Sequence, residues 1–352
     1  MNSCRVSTSF ELDLEPHLAF VHFDMDLAAI VTRPKRVFLL GATGTIGRAT
    51  ARALQTRGFH VVCFVRDRAK ARPHLPGIEL REGQVTDPTS LERDGFRGEA
   101  FDVLVSCLAS RTGVKRDAWA IDHRAHLAAL RAAQQVGVKQ MVLLSAICVQ
   151  KPLLAFQKAK LAFEAELMAS GITYSIVRPT AFFKSLSGQV SRVKAGKPYI
   201  HFGDGTLTAC KPISDDDLAA YMADCLTQED RWNKILPIGG PGPALTPREQ
   251  GALIFAALGR EPKYQTMPIG ILAFIRGCLA LFGLFSRKLA DKAELASIGL
   301  YYARESMLVL DPVAGRYDAQ ATPSFGSQTR ADHYARMIRG DARDDRGDHA
   351  VF

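Results

Sequence analysis

An α/β fold with a doubly wound parallel sheet is predicted by three features of the sequence. Short β-branched runs alternate with helical stretches from residue 36 onward, a glycine-rich turn sits at the first strand-to-helix junction, and several strands are apolar throughout. Such alternation calls for parallel strands joined by crossover helices. Continuous apolar strands, such as FDVLVSC and MVLLS, require cover on both faces of the sheet. The 352 residues, at ~150 per domain, allow one large domain or two modest ones. With 47% hydrophobic and 23% charged residues, the chain is not disordered, collagen-like or disulfide-stapled as a whole.

Residues 1–35 contain Glu11, Asp13, Glu15, Asp24 and Asp26, which argues against an organelle transit peptide, and no apolar core follows a basic start as in a secretory signal. This stretch reads as a loosely ordered extension. Strands are expected at Val37–Leu40, His60–Val65, Ile78–Arg81, Phe101–Cys107, Gln140–Ser145 and Ile172–Val177, with helices beginning near Gly44, Lys115 and Pro152. These elements form a first domain over residues 36–180. Beyond residue 180 the alternation loosens into helix-rich sequence with GGPGP at 239–243, so residues 181–338 read as a smaller C-terminal substrate-binding region intertwined with the sheet. Within it, Ile269–Phe285 is strongly apolar with Arg276 as its one charge, yet shorter than the ~20 residues of a membrane span. A buried or interfacial helix is expected there, with a stripe at Ile271, Phe274, Cys278, Phe282 and Phe285. Its opposite face is apolar too, so core packing, hydrophobic substrate and bilayer contact all stay open. Residues 339–352 alternate Arg and Asp and read as a solvated tail.

The 45 basic residues outnumber the 36 acidic ones, leaving a net charge of +9. That balance fits an anionic partner: a nucleotide cofactor, a carboxylated substrate, an anionic membrane or nucleic acid. No nucleic-acid motif accompanies the charge, so nucleic acid is not expected as a partner. Cysteines at 4, 63, 107, 148, 210, 225 and 278 are scattered without a C-x-x-C pair, which points to reduced thiols and a cytoplasmic setting. His123 and His126 lack a third ligand, and no metal site is expected.

The strongest local signal is RVFLLGATGTIGRATARAL, a strand running through Gly41, Gly44 and Gly47 into a helix. Glycines permit the tight turn and let backbone N–H groups approach a pyrophosphate at the helix N-terminus. Gly41, Thr43, Gly44, Thr45, Ile46 and Gly47 are therefore candidate cofactor-binding residues of a Rossmann-type site. The end of the second strand faces the adenosine ribose about 20 residues after that turn. Arg66 stands there, with Arg68 and Lys70 nearby, where an acid would select a free 2′-hydroxyl. A guanidinium suits a 2′-phosphate, so NADPH is the expected cofactor. Asp87 after the third strand is placed near the adenine or at a helix start, and Cys107 at the end of the fourth is a further candidate.

The GxxGxxG spacing and strand order resemble the extended and atypical short-chain dehydrogenase/reductases. In those families a Ser after the fifth strand is followed about a dozen residues later by Tyr-x-x-x-Lys. Here Ser145 ends MVLLS, and Phe156-Gln-Lys-Ala-Lys160 follows: the lysine is present and the tyrosine is replaced. Phe cannot donate a proton, which disfavours tyrosine-driven carbonyl or alcohol chemistry. The segments SAICVQKPLLAFQKAKLAFE, VRPTAFFKSLSGQV, HFGDGTLTACKPISDDDLA and TPSFGSQTRADHYAR, in that order, resemble the NADPH-dependent divinyl chlorophyllide a 8-vinyl-reductase family over residues 36–338.

The resemblance implies reduction of the 8-vinyl group of a magnesium tetrapyrrole in chlorophyll or bacteriochlorophyll biosynthesis, on divinyl chlorophyllide a or its protochlorophyllide precursor. Hydride delivered to a vinyl group conjugated with the macrocycle leaves a delocalised anion, so a strong, aimed acid is less necessary. Lys160 would hold the nicotinamide ribose and supply positive potential. Ser145 would orient substrate or a proton-carrying water, or simply cap the next turn. Pro179 is placed where the family's backbone meets the nicotinamide amide. Phe156, Phe182, Phe183 and Phe274 are candidate pocket walls, with core packing as the alternative for Phe182 and Phe183. Lys184, Arg192, Lys194 and Lys211 are candidates for a basic rim around the substrate's propionate. The magnesium belongs to the substrate. The setting implied is cytoplasmic, with peripheral contact at a photosynthetic membrane. Two other readings use the same scaffold: a sugar-nucleotide epimerase, which needs the missing tyrosine, and an NmrA-like redox sensor that binds NADP without turnover.

Overall fold

The computed structural model describes residues 35–341. Strand β1 (Arg36–Leu40) leads into α1 (Thr45–Thr56), followed by β2 (His60–Val65), β3 (Glu79–Glu82) and β4 (Val103–Ser106). Next come α2 (His126–Gln135), β5 (Gln140–Leu144), α3 (Ala155–Ala169), β6 (Thr173–Pro179), β7 (Tyr199–Phe202) and α4 (Asp215–Asp224). The remaining main elements are β8 (Lys234–Ile238), α5 (Pro247–Ala257), β9 (Tyr264–Met267), α6 (Ile269–Gly283), α7 (Arg287–Tyr302) and α8 (Arg330–Arg339). Seven strands form one parallel sheet in the order β3-β2-β1-β4-β5-β6-β8. The order reverses between β1 and β4, and in open α/β sheets ligands bind at the carboxyl ends beside such a reversal.

Both faces of the sheet are covered, as the apolar strands require. Along β1, Val37 and Leu39 enter one core with Leu54, Cys63 and Met222, while Phe38 and Leu40 enter the other with Phe64, Leu104 and Phe163. This two-residue alternation between two apolar layers is the strand period acting on a sheet buried on both sides.

All six expected strands are present, with β2 over the expected residues and the others shifted by one or two residues at their ends. The seventh, β8, was not expected. Its sequence KILPI carries Pro237, which lacks a ladder donor and is tolerated because β8 lies at the sheet edge with β6 as its sheet neighbour. Past residue 180, β8 extends the sheet and α4 packs on α1. A smaller cluster joins Val193, Tyr199, Ile254, Phe255 and Tyr334 beside the parallel β7–β9 pair. Arg339 is the last residue of α8 and Gly340 closes that helix at φ 93°, so the expected tail starts later than residue 339. The rest of that tail, like the N-terminal extension up to residue 34, lies outside the described residues.

Candidate active site

The turn after β1 is built by two backbone near-collisions. Gly41 has φ +74°, and a Cβ there would lie 2.5 Å from the carbonyl carbon of Cys107, so the turn can press against the end of β4 only without a side chain. A Cβ on Gly47 would lie 2.1 Å from the Gly41 carbonyl oxygen, which is how α1 comes to start directly against the turn. Gly44 caps α1 without a side-chain hydrogen bond, and no acidic residue occupies the first turn. The helix therefore opens with unsatisfied N–H groups and its positive dipole end toward the carboxyl edge of the sheet, a cradle suited to a dinucleotide's bisphosphate. Thr43 is exposed, Thr45 half-buried and Ile46 buried on the core side. Cys107 meets the turn through its backbone; its thiol donates to Thr50 at 3.5 Å, and burial pushes that thiol up to about 12.

Lys184, read from sequence as a substrate-rim residue, belongs to this turn: its Nζ donates to Thr45 Oγ1 at 2.5 Å. Behind it, Asp215 opens α4. Burial, then the neighbouring Asp216, pushes its carboxyl up to about 6 against the opposing pull of Lys184, Arg48 and Arg52. At the end of β2, Arg66 is exposed and makes no hydrogen bond or ion pair among the described residues. Lys70, by contrast, pairs with Asp67 at 3.2 Å and is turned to that partner. Asp87 accepts from Thr89 N at 3.0 Å and caps a short helical turn, the second of the two placements expected for it.

At the carboxyl ends of β5 and β6 the geometry is ionic. Lys160 lies one turn after Phe156 on α3, and its Nζ pairs with Asp122 Oδ1 at 3.1 Å, the lysine side chain 11% exposed and the aspartate fully buried. The same oxygen accepts from Ser110 N at 3.1 Å, while Asp122 Oδ2 is buried without a partner among the described residues. Asp122 was missed by sequence reasoning because its pairing crosses from the turn Trp119–Ala125 to α3. Ser145 donates its hydroxyl to Glu164 Oε1 at 2.5 Å, and Glu164 is in turn paired with Arg178. The serine thus joins a buried chain across β5, α3 and β6, and does not cap the next turn. Pro179 ends β6 in register with Ile238.

Phe156 is half-buried against Cys148, Leu154, Ile298 and Tyr301, with Gly113 beside its ring. Phe182 is partly buried against the sheet core. Phe183, expected as a wall or core residue, is core: it lies under the Arg330 guanidinium at 5.2 Å and against the His333 ring at 5.0 Å. Phe274 is not in a pocket but 73% exposed. The basic rim also disperses. Lys211 Nζ donates to Thr322 O at 2.8 Å, Lys194 Nζ to Ile338 O at 2.9 Å, and Arg192 Nε to Pro198 O at 2.9 Å. These three cations tie chain segments together by their donors. A groove of about 650 Å³ near His60, Arg72 and Glu79 lies by the amino ends of β2 and β3, away from the glycine turn.

The sheet order and the glycine turn define a dinucleotide-binding protein of the NAD(P)H-binding family, whose profile covers residues 41–229. The fold is shared with an NADPH-dependent quinone oxidoreductase from Escherichia coli, with a TM-score of 0.61 and 20% identity over 86% of this chain and 99% of that one. The chain belongs to the divinyl chlorophyllide a 8-vinyl-reductase family. It is 49% identical to the chloroplastic enzyme of that name from Cucumis sativus, over 90% of this chain and 79% of the relative. The Arabidopsis thaliana enzyme is 48% identical over 90% of this chain and 82% of its own length.

Proposed function

We propose that the chain reduces the 8-vinyl group of divinyl chlorophyllide a to ethyl with NADPH. The observation that carries the reading is the collinear similarity to the plant 8-vinyl-reductases along nearly the whole chain. Free Arg66 at the ribose end of the site supports NADPH over NADH, since a guanidinium complements a 2′-phosphate and no carboxylate replaces it at that position. Lys184 sits where it would neutralise the bisphosphate, a role for this chain's own cation that the uncapped start of α1 makes favourable.

A nicotinamide cofactor, when bound, would supply the hydride that reduces the vinyl group, with a proton from water completing the ethyl group. Lys160, oriented by Asp122, holds ribose hydroxyls and places a positive charge near the developing macrocycle anion. Ser145 has its proton directed to Glu164, so its oxygen is left to accept from a proton-carrying water. Phe156 offers an apolar edge and no acid. The chain acts in the cytoplasm at a photosynthetic membrane, and among the described residues no helix is long and apolar enough to cross one.

Purified protein incubated with NADPH and divinyl chlorophyllide a is expected to convert the pigment to its 8-ethyl form, read by chromatographic separation. Persistence of the 8-vinyl pigment with NADPH still bound would favour the sensor reading. A second expectation concerns Asp215. Above its raised value the group adds negative charge beside Lys184, and below it the group is neutral. Asp215→Asn should therefore tighten NADPH several-fold at about pH 8 and change it little at about pH 5, by titration of cofactor fluorescence.

A further inference from the structure

We propose that the α6–α7 hairpin docks the protein on an anionic lipid surface, with the outer stripe of α6 inserted at the headgroup–acyl boundary. The surface is read from geometry; its link to catalysis rests on the pigment reduction proposed above. On α6 and the turn after it, Ile271, Phe274, Ile275, Leu281, Phe282 and Phe285 recur every three or four residues, with a seven-residue step spanned by Cys278, and all six are exposed. Phe274 is 73%, Phe282 58% and Phe285 88% exposed, and no residue of α6 is buried. The helix is held from its other side, where Gly283 lets the chain approach Ala290 of α7 closely and Leu272 lines a cavity of about 250 Å³ with Gly299, Tyr302 and Ala303. A soluble helix that presents its continuous apolar stripe outward has placed it for a nonaqueous partner.

Charge selects the partner. No acidic residue occurs between Glu261 and Asp291, whereas Arg276, Arg287 and Lys288 lie in that interval and are exposed. Cations flanking an apolar stripe complement anionic headgroups, while a symmetric second copy would bring those cations toward one another. The 15 residues of α6, rising ~1.5 Å each, lie along an interface rather than cross it. The inner face of α7 meets the catalytic helix: Ile298 packs with Phe156, and Glu294 accepts from Ala155 N at 3.4 Å. An amphiphilic pigment held in the same lipid surface therefore has the hairpin between the bilayer and the start of α3 as its point of entry.

The test is flotation of the full chain with phosphatidylcholine vesicles containing phosphatidylglycerol, against phosphatidylcholine alone. The wild type should float with the anionic vesicles at least ~10-fold more than with neutral ones, and less at high salt. A Leu281→Ser/Phe282→Ser/Phe285→Ser variant should lose flotation, keep NADPH binding and detergent-dispersed pigment turnover, and lose turnover of vesicle-held pigment. Arg287→Glu/Lys288→Glu, which leaves the stripe intact, should lose the anionic preference. Undiminished flotation of the triple variant overturns the proposal. So does wild-type dimerisation without vesicle binding, which assigns the stripe to a second copy, or loss of detergent turnover with flotation unchanged, which assigns it to pigment. Flotation as expected with no pigment turnover in detergent would uphold the docking and remove the reductase reading instead.

Discussion

Lys160→Ala is expected to lower kcat for vinyl reduction by ~10² or more, about 2.7 kcal/mol of transition-state stabilisation, with the protein still folded. The lysine side chain is 11% exposed and is held by a fully buried carboxylate, so its removal deletes the positive charge and, with it, the ribose contact proposed for it. It also leaves Asp122 as an uncompensated buried charge, so a thermal melt must accompany the kinetics. Asp122→Asn keeps an acceptor for Ser110 N and loses only the charge, and is expected to lower kcat less than Lys160→Ala does. Phe156→Tyr separates the proton role from the charge role. A tyrosine there should leave vinyl reduction level or lower, because the ring sits in an apolar cluster with Ile298 and Tyr301. Full activity in Lys160→Ala, or a large gain from Phe156→Tyr, contradicts the assignment of these two residues.

Arg66→Ala is expected to weaken NADPH by ~1.5 to 3 kcal/mol, some 10- to 150-fold, and to leave NADH nearly unchanged. The discrimination arises because the side chain is exposed at the end of β2 and forms no pair within the described protein that would have to be broken first. Isothermal titration with both cofactors reads it directly. Equal losses for NADPH and NADH would mean that Arg66 does not meet the 2′-phosphate. Lys184→Met provides the internal contrast: a residue at Thr45 should weaken both cofactors alike, since the bisphosphate is common to them.

The parts of the site that could be read from sequence are those set by local backbone rules. The glycine turn was legible because Gly41 and Gly47 occupy positions where any Cβ would strike backbone, and Arg66 because strand β2 fixes its distance from that turn. The lysine of the truncated Tyr-x-x-x-Lys pattern was legible from spacing along one helix. Partners joined across the fold were not: Asp122 reaches Lys160 from a different helical turn, and the Ser145–Glu164–Arg178 chain links three elements. Lys184 was read as a substrate-rim residue, because sequence does not reveal that the loop after β6 folds back onto Thr45, 139 residues earlier. Lys194 and Lys211 were read as a rim since free and carbonyl-bound lysines look alike in sequence. The α6 stripe was visible by its period, but period alone gives no direction. Packing of Gly283 against α7 turns it outward.

The most direct measurement of the central claim follows the hydride itself. NADPH carrying deuterium at the nicotinamide C4 position transferred by the enzyme is supplied with divinyl chlorophyllide a, and the pigment is separated and examined by mass spectrometry and NMR. The account predicts one deuterium per pigment, in the terminal methyl of the new 8-ethyl group, with one NADPH oxidised for each ethyl formed. Oxidation of the cofactor without label in that methyl, or 8-ethyl pigment that carries no deuterium, would contradict it.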